Sequence, residues 1–325
     1  MILRYKFYIC FMRILSFLFL TSISFCSFSQ NSFSKELRLL ADNDLYTSTY
    51  RDRYYTNGLF LTFRTIENTE TQKLAKKIHS FQIGHMMFTP IRANFPFASA
   101  HDRPFASYFY GEYGQSRFYG SQNVLITNLQ IGVIGPISKG QELQDFIHQI
   151  YNFPKATGWK YQIQNAFAIN LNSTFIKYLK KVSSSHFDLN SYNELKVGTM
   201  FTSASTGFYS RFGFKKLQNS SNTVAFNSNL NNKPAQSFSE SFIYVKPMIN
   251  YVLYDATIQG SFLNTTSPVT FDVMPINFSL EVGYTFYKKR FLYGYTFHLH
   301  TKKLKSLRAT KNNTYGSIYI GYFFN

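Results

Sequence analysis

The sequence predicts an all-β chain closed into an antiparallel transmembrane barrel, and three observations predict it. Beyond the N-terminal leader no window reaches the ~18 consecutive apolar residues of a spanning helix, so any membrane crossing has to be made by strands. The chain holds 36 Phe and 25 Tyr against a single Trp while only 45% of its residues are hydrophobic. That profile suits amphipathic strands with aromatic girdles and not a helical core. Apolar residues also alternate with polar or small ones in segments of about 8 to 12 residues, separated by polar or Gly-containing turns. A soluble all-β domain is the alternative, because alternation is a weak signal in any single segment.

Arg4, Lys6 and Arg13 precede the apolar run Ile14 to Phe25, and no acidic residue comes before Glu36. This is the basic and apolar pattern of a secretory signal. The run is about 12 residues long, too short to cross ~30 Å of hydrocarbon as a helix. Cleavage is expected near Gln30, making residues 1–30 a signal peptide and 31–325 one barrel domain. Cys26 admits a lipoprotein reading, although Ile23-Ser24-Phe25 before it makes a poor lipobox. Cys10 and Cys26 are the two cysteines and both fall in the leader, so the mature chain would have no thiol for a disulfide, a nucleophile or a metal. A net charge of +18 on a secreted, aromatic-rich chain points away from nucleic acid and toward an anionic membrane face, or else to an evenly solvated basic surface.

In chain order, strands are expected near 34–42, 55–65, 80–89, 104–114, 122–134 and 160–172, with about six to eight more up to 324. The clearest alternations are Leu59-Leu61-Phe63, Phe167-Ile169-Leu171, Phe278 to Phe286 and Tyr293 to Leu299. The last segment, Tyr315 to Phe324, would close the sheet on the first strand and leave no edge in the bilayer. With strand one rising from the periplasm, loops 43–54, 90–103 and 135–159 share the extracellular end, and 66–79 and 115–121 become periplasmic turns. One segment breaks the pattern: Leu143, Phe146, Ile147 and Ile150 repeat at helical spacing, which predicts a short amphipathic helix over 140–150, ending before Pro154. Gln144 and His148, four apart, then project side by side. The Ser- and Asn-rich stretch Gln218 to Pro234 reads as a long polar loop at an extracellular tip.

Asn43-Asp44, Asp52-Arg53-Tyr54-Tyr55-Thr56-Asn57-Gly58, Asp102-Arg103-Pro104-Phe105-Ala106, Gly135-Pro136 with Gln144 and His148, and Gly158-Trp159 follow in order. In order and spacing they resemble the outer-membrane lipid A 3'-O-deacylase family over roughly the first half of the mature chain. The second half matches it as a barrel pattern. The resemblance implies twelve strands, the outer membrane of a Gram-negative type of cell, insertion by the barrel-assembly machinery, and hydrolysis of the 3'-linked acyloxyacyl ester of lipid A. It also implies lipid A, as lipopolysaccharide, for the partner and Ca²⁺ for the cofactor, with Asn43 and Asp44 near the metal or the oxyanion.

The residues themselves narrow the chemistry. Without a Gly-x-Ser-x-Gly elbow or a cysteine, a covalent serine or thiol route has no support. A histidine that activates water while a cation polarises the ester needs a His, a group to hold it and oxygen ligands. His148 is the candidate general base, with Gln144 one turn back to fix its ring; a histidine merely exposed on a loop helix is the plain alternative. Thr56 and Asn43 complete the catalytic candidates. Asp44, Asn43 and the Thr56 hydroxyl are hard oxygen donors suited to Ca²⁺, or an Asx-turn network capping the loop. Asp52 with Arg53, and Asp102 with Arg103, read as bracing pairs, while Arg92 and Arg103 are the candidates to orient lipid A phosphates. The acidic residue that the family carries after its histidine is absent from Asn152 to Thr157, which leaves Glu142 or Asp145 to supply a carboxylate. His298 and His300, two apart on one strand face, suit a metal or a lumen position. An outer-membrane phospholipase and a non-catalytic pore or structural barrel are the rival functions.

Overall fold

The computed structural model describes residues 32–47, 54–67, 74–91, 94, 97–152, 154–232, 239–308 and 312–325. The expected leader, Asp52, Arg53 and Arg92 lie outside them. Twelve strands run β1 (Lys35–Asn43), β2 (Tyr54–Glu67), β3 (Leu74–Thr89), β4 (Ala106–Tyr119), β5 (Val124–Ile134) and β6 (Ala166–Tyr178). They continue with β7 (Phe187–Gly198), β8 (Phe201–Gly213), β9 (Ser239–Asp255), β10 (Ile276–Lys288), β11 (Phe291–His300) and β12 (Asn313–Phe324). Each pairs antiparallel with its sequence neighbours, and β1 closes on β12.

Closure is long and in register, from Lys35 opposite Phe324 to Asn43 opposite Gly316. In hydrocarbon every unpaired backbone N–H or C=O costs several kcal/mol, so the apolar alternation of β1 and β12 is useful only because the two strands meet. Along the strands the large apolar side chains point outward: Leu37, Leu59, Ile83, Phe109, Ile131, Phe167, Phe278 and Ile320 are all exposed. In water this belt would be an aggregating surface; in a bilayer it is the lipid contact. The chain is a membrane-spanning barrel.

The two ends differ. β1 starts and β12 ends at one end, the one expected to face the periplasm, and the β8–β9 connection lies there too. That connection was expected at an extracellular tip, but β9 must rise from the end where β8 finishes, so Gln218 to Asn232 belong with the termini. They are not a solvated loop: Val224, Phe226 and Leu230 are buried among Ile78, Phe118, Phe242 and Phe323. Asn231 N donates to Phe33 O (2.8 Å), and Lys76 Nζ donates to Ser228 O (2.6 Å). The stretch reads as polar because its Ser and Asn side chains satisfy backbone groups inside the lumen. β6 also starts six residues later than the expected 160, because Thr157–Tyr161 forms a 3₁₀ turn that buries Trp159.

Arg211 on β8 ties this end together. It is 1% exposed, chelates Asp188 through Nε and Nη2, and donates through Nη1 to Glu240 (3.2 Å). Replacing Arg211→Ala strands two buried carboxylates, which is expected to cost about 3–5 kcal/mol. Urea unfolding of the barrel in detergent micelles, followed by β-sheet circular dichroism, measures this; an unchanged midpoint would contradict it.

Candidate active site at the outer rim

The site begins where β5 leaves the wall. Gly135 has φ 96° and a Cβ on it would lie 2.6 Å from Asn165 N, so only glycine permits the exit. A 3₁₀ turn, Pro136–Ser138, leads into α1 (Gly140–Tyr151). Ser138 Oγ sits within reach of Gly135 O (2.6 Å) and Ser107 O (2.9 Å), and its carbonyl accepts from His85 Nε2 (2.8 Å). A Cβ on Gly140 would fall 2.3 Å from that of Ser107. Strand alternation assigns His85, Met87 and Ser107 to the lipid-facing set, yet Met87 is 1% exposed and Ser107 is 0%. The β5–β6 loop therefore folds down over the outside of the barrel wall.

One face of α1 seats it there. Leu143 and Ile147 pack against Met87, Phe105, Ala156 and Trp159, and Gln144 and His148 beside them are buried. The returning segment holds both polar side chains. Trp159 Nε1 donates to Gln144 Oε1 (2.5 Å), and His148 Nδ1 lies 2.7 Å from Pro154 O. A carbonyl can only accept, so Nδ1 carries the proton and the neutral ring presents its lone pair at Nε2. Trp159 is placed by Phe105 (centroids 5.0 Å apart), and Gly158 is required beside it, since a Cβ there would come within 2.3 Å of the Phe105 ring.

The rim of β1 and β2 supplies the oxygen donors. Tyr54 has φ 65°, and pairing with β3 slips between Tyr55 and Asn57. This bulge puts Thr56 on the same outer face as Asn57, because Tyr55 points inward, donating to Asp42 Oδ2 (2.7 Å), while Thr56 Oγ1 meets Thr89 Oγ1 at 2.5 Å. Gly58 leaves room for the Tyr55 hydroxyl, 2.1 Å from where its Cβ would stand. Asn43 donates through Nδ2 to Asn57 Oδ1 (2.6 Å) and accepts from Leu45 N (2.7 Å). Asp44, fully buried, opens the turn Asp44–Thr47. Register carries the rung Asn43, Asn57, Met87, Ser107 across four strands, and Met87 packs with Trp159. The structure thereby sets His148 and Gln144 on the same stretch of outer wall as Asn43 and Thr56, with Asp44 buried in the turn that follows Asn43.

The Pro154 carbonyl holds the His148 ring, and Gln144, one turn back beside it, also takes the Trp159 indole N–H on Oε1. The expected role of Arg103 is corrected. Arg103 does not face lipid phosphates: it is 4% exposed, with Nη1 on Tyr54 O (2.9 Å) and Nη2 on Thr257 O (3.2 Å), and it stacks over Phe88. Asp102 lies near enough for its charge to act on Arg103, and its Oδ1 accepts from Ile91 N (3.0 Å). Glu142 is exposed and bonded to Lys139 (2.8 Å), a hydrogen bond that holds its carboxyl below the usual value. It lies across the helix from His148, so Asp145 is the nearer carboxylate. His298 and His300 sit in the lumen, stacked on Tyr315 at 4.3 and 5.8 Å.

Among the described residues no three His, Cys, Asp or Glu side chains group as a metal site. The rim offers an all-oxygen set instead, the Asp44 carboxylate with Asn43, Asn57 and Thr56, which fits Ca²⁺ in donor type. Sequence reading missed Thr89 and Pro154, for which no local signal exists, and left Trp159 without a role although it had marked Gly158-Trp159. Trp159→Phe keeps the ring but leaves Gln144 Oε1 without its indole donor, expected to cost about 1–3 kcal/mol. Faster amide hydrogen exchange in α1, with the strands unchanged, is the expected readout.

The model of the outer membrane protein LpxR family matches residues 14–324. LpxR from Salmonella typhimurium superimposes with a TM-score of 0.70 at 21% identity, over 89% of this chain and 100% of that one. The beta domain of the Bordetella autotransporter BrkA gives a TM-score of 0.44 at 8% identity, over 90% and 99%. No curated protein matches. With its twelve-stranded barrel and a family match across nearly its whole length, the chain belongs to the outer membrane protein LpxR family.

Proposed function

We propose that this chain is a lipid A 3'-O-deacylase, removing the 3'-linked acyloxyacyl chain by hydrolysis in the outer leaflet. The observation that carries the reading is a buried histidine, fixed in one tautomer by Pro154 O, on the lipid-facing side of the wall and beside a rim of amide, hydroxyl and carboxylate oxygens. A lipid substrate approaches from that side. His148 Nε2 takes a proton from water as the water oxygen attacks the acyl carbonyl, and returns it to the sugar oxygen as the C–O bond breaks. The hydroxyls of Thr56 and Thr89 share one hydrogen bond, which leaves one hydroxyl proton for the negative oxygen of the tetrahedral state. Ca²⁺ would be held by Asp44 and Asn43, and when bound it polarises the ester carbonyl.

The family match and the site's position on the lipid-facing wall support this reading over its rivals. A pore needs an open lumen, and this one is packed with Val224, Phe226 and Leu230 at the periplasmic end. A phospholipase would act on glycerophospholipid from the same face, so substrate identity has to be assayed. His148→Ala is expected to lower deacylation by about 10²- to 10⁴-fold, the usual worth of a general base, with barrel stability retained. Mass spectrometry of lipid A from expressing cells reads the lost acyl unit, and loss of acyl chains from glycerophospholipid instead would overturn the substrate assignment. Chelation by EDTA is expected to suppress the reaction and added Ca²⁺ to restore it; full activity after chelation removes the metal from the scheme.

A further inference from the structure

Two apolar side chains on α1 are left unexplained by the site. Phe146 is 59% exposed and Ile150 is 60% exposed, although the same helix buries Leu143 and Ile147 in part and Gln144 and His148 almost fully. At 100° per residue, Phe146 and Ile150 fall on one flank of α1, and Gln144 with His148 on the other. The second flank is bonded to the returning segment through Trp159 and Pro154. The first is therefore turned away from the loop's own body. Ile137, just before the helix, is 58% exposed as well.

Their place on the barrel decides what they meet. Because α1 covers Met87 and Ser107, residues of the lipid-facing set, the helix stands outside the wall, where lipid stands around the rest of the barrel. Deeper on the same strands lie Ile83 and Phe109, 57% and 46% exposed, in the apolar belt itself. The exposed flank thus continues an established lipid interface. The remaining surface of the helix is polar, with Gln141, Glu142 and Gln149 exposed, the division found in helices that lie in a membrane interface.

We propose that α1 is seated in the outer leaflet, with Phe146 and Ile150 among acyl chains and Gln141, Glu142 and Gln149 in the headgroup layer. The helix then sets the depth of the catalytic rim, holding His148 at the boundary where acyl esters lie. Seating does not depend on hydrolysis, so the two stand or fall separately.

Because both cysteines lie in the first 30 residues, a single introduced thiol in the mature chain labels uniquely. Phe146→Cys, Ile150→Cys and, as the reference on the polar face, Gln149→Cys would carry nitroxides in the whole barrel. The barrel would be reconstituted in phosphatidylethanolamine and phosphatidylglycerol vesicles, and collision with oxygen compared with collision with a water-soluble nickel chelate. Oxygen should dominate at 146 and 150 and the chelate at 149. Dominance of the chelate at all three sites overturns the proposal by placing the flank in water. Exclusion of both reagents at 146 and 150 overturns it too, by placing a second protein surface there. Phe146→Leu with Ile150→Leu should leave the labelled Gln149→Cys readout unchanged, and the double change to Ser should move it toward greater chelate exposure as the helix lifts.

Discussion

Everything in this chain depends on the pairing of β1 with β12. Hydrocarbon offers no partner for a backbone amide, so a sheet with an open edge has no place in a bilayer. Once the edge is closed, the strands carry only an apolar exterior and a packed or polar interior, and chemistry is left to the connections at the ends. The rim loops are free to depart from strand geometry because they lie beyond the region where the ladder is obligatory. The departures seen there, the bulge at Thr56, the left-handed Tyr54 and the exit at Gly135, are the ones that turn side chains onto the outer wall.

The candidate site is built from two unlike parts that need one another. β1 and β2 give oxygen donors through a register slip, a feature of backbone pairing. The β5–β6 loop gives the histidine through packing: Gly158 admits the Phe105 ring, Phe105 sets Trp159, and Trp159 holds Gln144 beside His148. In this arrangement several residues of the second loop's motif are scaffold. Arg103 and Asp102 spend their charges on backbone groups, so the motif Asp-Arg-Pro-Phe-Ala anchors the mouth of the barrel and the aromatic seat of the helix.

The sequence was most legible where one periodicity governs. Alternation in β1, β2, β5 and β10 to β12 has a single cause, lipid on one face, and it yields strand positions within a few residues. The helix over 140–151 was legible for the same reason. Legibility failed where contacts are distant in sequence. Nothing near Thr56 announces Thr89, nothing near His148 announces that a proline carbonyl will fix its ring, and Arg103 reads as a phosphate grip until its carbonyl partners are seen. Gln218 to Asn232 misled because serine and asparagine satisfy a buried backbone as readily as they meet water.

That inward-folded segment has a consequence for how the barrel is made. Its apolar residues rest on Phe33 before the first strand and on Phe323 in the last, so their cavity does not exist until the ends of the chain have met. Residues made midway through synthesis must wait, solvated, for strands made later. Completing the wall and filling its lower end then become one cooperative event of high contact order, which slows the final step.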